Sequence, residues 1–218
     1  VYKEINGGSK TSLDIIESIQ KDIFDESIYK CRQEYLAFID NGTSSVNFIA
    51  GLTNSLLNQN MTCHLTDSPG ATFIEISTIL AIRKLIGYPI KENIENTFEI
   101  GGYYTSGGMM ANMAALLIAR NKLYPNSQQQ GLPINKPVLI IPDGIAHYSI
   151  WNSLGWIGIG EENIIRVKTK NFQYDIKCLK KTIKKLKADN TPILSIVAVL
   201  GDSYTMSIEN IFEIRKIC

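Results

Sequence analysis

Apolar residues recur along this chain with two different periods, and the change of period divides it. In the N-terminal part Leu13, Ile15, Ile16, Ile19, Ile23 and Phe24 fall at helical spacing. That spacing predicts an amphipathic helix over Ser12 to Glu26, with Thr11 or Ser12 as its N-cap. Tyr35 to Ile39 is a short apolar run of extended character, closed by the turn signal Asp40-Asn41-Gly42, and Val46 to Leu57 returns to helical spacing. A better punctuated unit follows. Ser68-Pro69-Gly70 breaks the chain, Thr72 is a candidate cap with Glu75 as capping-box partner, and Gly87 and Pro89 stop a helix whose apolar face runs through Ile76, Ile79, Leu80 and Ile86.

Beyond the polar loop Pro125 to Pro137, short apolar runs alternate with helical patterns. Val138 to Ile141, Ile164 to Val167 and Ile193 to Leu200 read as buried strands; Tyr148 to Ile157, the lysine-rich Asp175 to Ala188, and Ile208 to Ile217 read as helices. Strand and helix alternating with crossovers of this length predict an α/β fold, a mostly parallel sheet with helices on both faces. Ligands of such sheets sit at the carboxyl ends of the strands. There the sequence places His147, in PDGIAHYS after Ile141, and Ser203, in GDSYT after Leu200.

A third loop joins them. Gly101 to Leu123, GGYYTSGGMMANMAALLIARNKL, starts as a glycine-rich turn and becomes a run of strong helix formers without a breaker. The first N–H groups of a helix lack intrahelical partners and carry the positive end of the helix dipole, so such a turn is suited to an anion, most often a phosphate. Charge adds little: 22 Lys and Arg against 21 Asp and Glu give no electrostatic case for nucleic acid or an anionic membrane. No apolar run approaches membrane-spanning length, and a cytoplasmic protein is expected. Cys31, Cys63, Cys178 and Cys218 form no CxxC pair and read as reduced thiols; with only His64 and His147 as histidines, no metal site is expected.

Four blocks resemble the group II pyridoxal-phosphate-dependent amino acid decarboxylases, the family of the glutamate, cysteine sulfinate, aromatic amino acid and diaminobutyrate enzymes. SPGATFIEISTILAIRKLIGYP, TSGGMMANMAALLIAR, IAHYSIWNSLGWIGIG and ILSIVAVLGDSYTMSIENIFEIRKIC are similar to four family blocks, in the family's order. The resemblance implies an aspartate-aminotransferase-like (fold type I) large domain, pyridoxal 5'-phosphate as cofactor, an amino acid substrate and a homodimer. It implies that Gly107, Gly108 and Met109 form the turn whose backbone holds the cofactor phosphate. His147 takes the place of the catalytic histidine that stacks on the pyridine ring near the substrate carboxylate. Ser203 takes the place of a threonine that hydrogen-bonds the cofactor's phenolic side. Asn112 matches a motif position without an assigned role, and His64 matches none.

The chain also departs from the pattern. Met109 and Met110 follow the paired glycines where the family has Ser or Thr and then commonly an acidic residue; Asp202-Ser203-Tyr204 replaces Gly-Thr-Thr, which puts a carboxylate beside an expected anion; Arg32-Gln33 replaces His-Pro. The family's aspartate and lysine for the cofactor come after the block matching Ile193 to Cys218. Residues 1–90 are therefore expected to form a helical segment leading into the large domain, and 91–218 the first part of that domain, truncated before the lysine. Two other readings stay open. One is a catalytically inactive decarboxylase-like protein acting as a binding or regulatory partner, the other a fold type I lyase acting on a phosphorylated amine.

Overall fold

The computed structural model describes residues 11–30, 32–36, 42–60, 66–91 and 93–218. Cys31, Cys63, His64, Asp40, Asn41 and most of the run expected over Tyr35 to Ile39 lie outside them. The chain falls into two compact units, Val1–Thr72 and Phe73–Cys218.

In the first unit, helix α1 (Ser12–Ile19) starts where the sequence places it, in a capping box. Thr11 Oγ1 accepts the Asp14 N–H at 3.2 Å, and Asp14 Oδ2 accepts the Thr11 N–H at 2.8 Å. The helical run expected to reach Glu26 changes instead to a π-helical turn over Gln20–Phe24. Helix α2 (Ser45–Leu57) is capped by Ser44, whose Oγ accepts the Asn47 N–H at 3.3 Å, and it closes on the left-handed Asn58. Neither α1 nor α2 carries a buried residue; Leu13, Ile16, Val46, Phe48 and Leu56 are exposed.

Helix α3 (Pro69–Leu85) begins in the first unit and ends in the second. The cap expected at Thr72 is displaced. Proline is tolerated at the first helical position, so the helix starts at Pro69 and Thr72 sits inside its first turn, donating its N–H to the Ser68 carbonyl. Glu75 accordingly closes no capping box and accepts the N–H of Tyr104 at 3.4 Å. Near the C-terminal end, the Arg83 guanidinium donates to the carbonyls of Pro89, Glu99 and Ile100. Gly101 and Gly102 follow from this packing: a Cβ at Gly101, where φ is +64°, would stand 2.6 Å from Arg83 Nη1, and one at Gly102 2.9 Å from Ile79 Cγ2.

The second unit is built on a three-stranded parallel sheet. Helix α4 (Gly108–Leu123) and a short α5 (Ser127–Gln130), the latter inside the expected polar loop, precede strand β1 (Val138–Pro142). Helix α6 (Ser149–Trp156) crosses to β2 (Ile164–Val167), and after a small hairpin, β3 (Thr169–Lys170) and β4 (Gln173–Tyr174), helix α7 (Ile176–Ala188) crosses to β5 (Ile193–Ile196). The order is β2-β1-β5, with β1 central. Strand β5 is shorter than the expected run to Leu200, and the last helix, α8 (Ile211–Arg215), is shorter than Ile208 to Ile217.

All five residues of β1 are buried, and the first four alternate between two cores. Leu139 and Ile141 pack with Leu116 of α4 and Ile150 and Leu154 of α6; Val138 and Ile140 pack with Leu179, Ile183 and Leu186 of α7 and Ile214 of α8. Both faces are thus covered, which is why β1 reads as a continuous apolar run. The fold is the expected α/β arrangement. Among the described residues no helix is long and apolar enough to cross a membrane.

Candidate active site at the carboxyl edge of the sheet

Connections from β1 run to one side of it and the return from β2 to β5 runs to the other, so the chain changes direction across β1. A crevice is expected at the carboxyl ends of the strands flanking such a switch. One is present there: a cavity of about 730 Å3 lined by residues 144–148 after β1 and 197–199 and 201–205 after β5, with Asn112 of α4, Ile150 and Trp151 of α6 and Phe172. His147 and Ser203, the two candidates from separate loops, both line it.

His147 stands two residues before α6. The turn that delivers it contains Gly144 at φ +82°, a conformation costly for residues with a Cβ. Its Nδ1 accepts the N–H of Ser149 at 3.2 Å and lies 2.8 Å from Ser149 Oγ. Ser149 is fully buried, and its Oγ also accepts a hydrogen bond from Asn112 Nδ2 at 2.8 Å. The ring of Tyr148 lies against that of His147, centroids 4.2 Å apart. Asn112 thus gains a partner that the sequence does not announce, because 37 residues separate it from Ser149.

Ser203 lies in a turn organised by Asp202. The Asp202 carboxylate accepts the N–H groups of Tyr204 and Thr205, each at 2.9 Å, and the Thr205 hydroxyl. These bonds, that from the Thr205 hydroxyl first, hold the Asp202 carboxyl below the usual carboxylate range. The carboxylate expected to repel a ligand is therefore committed to its own turn.

The hairpin β3–β4 clasps the same segment. Its turn residues Asn171 and Phe172 sit at φ of +53° and +60°, and Phe172 reaches the cavity wall. Ser207 Oγ donates to the Phe172 carbonyl at 2.8 Å, Gln173 Nε2 donates to the Ile208 carbonyl, and the Tyr174 N–H donates to the buried Glu209 carboxyl at 3.0 and 3.1 Å. Burial pushes the Glu209 carboxyl up from its ordinary value and, with Glu209 beside it, pushes the Tyr174 phenol up as well. Sequence reasoning passed over Phe172: a bulky residue at positive φ carries no turn signal.

Gly107, Gly108 and Met109 are not among the residues lining the cavity, but Asn112, one turn further along α4, is. The first intrahelical bond of α4 runs from Ala111 N–H to Gly107 O, so the N–H groups of Gly108, Met109 and Met110 have no partner within the helix, and no side chain among the described residues caps it. A Cβ on Gly107 or Gly108 would meet nothing within 4 Å, and Gly107, at φ 161°, has extended backbone open to any residue. Nothing in the chain itself demands glycine at these two positions, unlike Gly101 and Gly102.

The sequence model of the pyridoxal-dependent decarboxylase conserved domain matches residues 4–218. An L-2,4-diaminobutyrate decarboxylase of Acinetobacter baumannii is 25% identical over 226 residues, 96% of this chain and 42% of the relative. An aromatic-L-amino-acid decarboxylase of Bacillus atrophaeus is 24% identical over 206 residues, 94% of this chain and 40% of the relative. Among solved structures, the glutamate decarboxylase domain of a diaminobutyrate-pyruvate transaminase and L-2,4-diaminobutyrate decarboxylase from Vibrio parahaemolyticus superposes with a TM-score of 0.83 at 21% identity, over 99% of this chain and 46% of that one. Catharanthus roseus tryptophan decarboxylase in complex with L-tryptophan gives 0.82 at 20%, over 100% and 46%. The chain spans less than half the length of each of these proteins.

Proposed function

Because the chain belongs to the pyridoxal-dependent decarboxylase family, we propose that the complete protein removes the α-carboxyl group of an amino acid as CO2, with pyridoxal 5'-phosphate as its cofactor. The observation that carries this reading is the meeting of His147 and Ser203 on one cavity, one helical turn from the open amides of Gly108, Met109 and Met110. The residues fit the cofactor: an uncapped helix start with two glycines and clear space suits its phosphate, and the cavity beside it is of a size to take a small-molecule ligand. When bound, the cofactor supplies an electron sink for the charge left on the α-carbon.

The chain's residues have distinct parts in this reading. The amides of Gly108 and Met109 anchor the phosphate, which takes no part in the chemistry. His147 presents its ring to the cavity, packs against the bound ring and offers Nε2 to the substrate carboxylate. Ser203 gives a hydroxyl to the cofactor's phenolic oxygen. Tyr148, Trp151, Phe172 and Val197 narrow the apolar wall and restrict water. The reading extends to a homodimer, supported by the exposed apolar residues on α1 and α2, and to a cytosolic setting, in keeping with the free thiols of Cys178 and Cys218.

Met109 favours the alternative of a non-catalytic relative, since its side chain cannot donate to a phosphate. One experiment separates the two. The complete protein, loaded with pyridoxal phosphate, is assayed for release of labelled CO2 from carboxyl-labelled acidic, aromatic and diamino acids. Turnover of one of them is expected, with kcat/KM lowered at least about 100-fold in His147→Ala. Protein that binds the cofactor but releases no CO2 from any of them establishes the non-catalytic reading.

A further inference from the structure

The polar chain behind His147 is not explained by packing alone. Ser149 is fully buried, and its hydroxyl stands between two partners, Asn112 Nδ2 and His147 Nδ1, each at 2.8 Å. The main-chain N–H of Ser149 also points at His147 Nδ1, at 3.2 Å. A main-chain N–H can only donate, so Nδ1 is the acceptor and carries no proton. The Asn112 amide N–H likewise only donates, so Ser149 Oγ accepts from Asn112 and has its own proton free for Nδ1. All the donors run one way: Asn112 to Ser149 to His147.

We infer that Asn112 and Ser149 are positioning residues that hold His147 in the tautomer with its proton on Nε2. The inference rests on the decarboxylase reading only for its purpose. Held this way, His147 meets the cavity with an N–H donor, which suits an acceptor such as a carboxylate oxygen and disfavours a ligand that offers only donors. Asn112 extends from the second turn of α4, the helix whose start offers the open amides. The same helix therefore fixes both the candidate anion site and the orientation of the histidine.

The direction of donation makes the arrangement testable by reversing it. In Asn112→Asp the side chain keeps its shape but becomes an acceptor; the Ser149 hydroxyl turns toward it, and its lone pair is left facing His147 Nδ1. That favours a proton on Nδ1. The readout is the ring 15N spectrum of the histidine-labelled, ligand-free complete protein at pH 8, in which loss of signals in His147→Gln assigns the His147 ring.

Wild type is expected to show Nδ1 as the unprotonated nitrogen and Nε2 as the protonated one, and Asn112→Asp to raise the share of the Nδ1-protonated form against the main-chain donor that remains. Ser149→Ala leaves only the longer main-chain donor and is expected to give a mixture of tautomers, which Ser149→Thr returns to the wild-type pattern. A wild-type ring protonated at Nδ1, or an Asn112→Asp ring indistinguishable from wild type in a folded protein, overturns the inference. Because no ligand is present, failure to bind pyridoxal phosphate would overturn the proposed function and leave this result standing.

Discussion

The helices of the first unit and the sheet of the second leave opposite things unsatisfied. α1 and α2 have their starts capped by Thr11 and Ser44, yet neither buries a residue. Around β1 the apolar side chains are covered on both faces, yet α4 begins with three N–H groups that no cap takes up. Local polar bonding and apolar cover are thus separate requirements, and a helix can meet one while missing the other. What is left unmet differs in kind: apolar surface in the first case, main-chain donors in the second.

The sharpest way to break this comparison is through the core. Ile140→Ala removes a side chain with no solvent exposure from the central strand and is expected to cost about 2–5 kcal/mol in urea unfolding. Leu52→Ala on α2, where 57% of the residue is exposed in the single chain, should stay within about 0.5 kcal/mol while the protein is monomeric. Equal costs would mean that α2 is as well covered as β1. At the helix start, Met109→Ser adds a hydroxyl donor beside the open amides. A charge-assisted hydrogen bond of about 1.5–3 kcal/mol corresponds to a tenfold or greater gain in affinity for pyridoxal phosphate, read by cofactor titration of the complete protein. Unchanged affinity would place the phosphate elsewhere.

The smallest expected effect concerns Glu209. Its folded pKa is raised by burial, so between the ordinary glutamate value and the raised one the folded state keeps a proton that the unfolded chain has lost. Stability is fully present below that window and falls as pH rises through it. Glu209→Gln retains an acceptor for the Tyr174 N–H and removes the charge, so the variant should match wild type at pH 4 and melt higher than wild type at pH 8. A variant that melts lower at pH 8 would show that the ionised carboxylate holds the clasp.

Much of this was legible in residue order, for physical reasons. A strand buried on both faces reads as an unbroken apolar run, as Val138 to Ile141 does, and α7 shows its core side through Leu179, Ile183 and Leu186 spaced between lysines. His147 and Ser203 could be placed because the loops after parallel strands converge. Other features depend on contacts between distant residues. Strand β5 stops at Ile196 because pairing with β1 ends there, although apolar residues continue; Leu200 bridges Ile208 instead. The partner of Asn112 and the commitment of Asp202 to its own turn are set by side-chain geometry that spacing does not encode. Pro69 did carry a signal, that of a first-turn proline, which the neighbouring Thr72 and Glu75 obscured.

The central position of β1 has a kinetic side. Leu139 meets Ile164 of β2 and Ser195 of β5, and the second partner lies more than twice as far along the chain as the first. Closing the longer loop costs more chain entropy, so the β1–β2 pair is favoured to form before β5 arrives. During synthesis a nascent chain can therefore hold His147 in place while the opposite wall of its crevice, residues 197–205, is still to be made. Of the two pairings of β1, the one favoured to form later is the one that brings the second wall of the pocket.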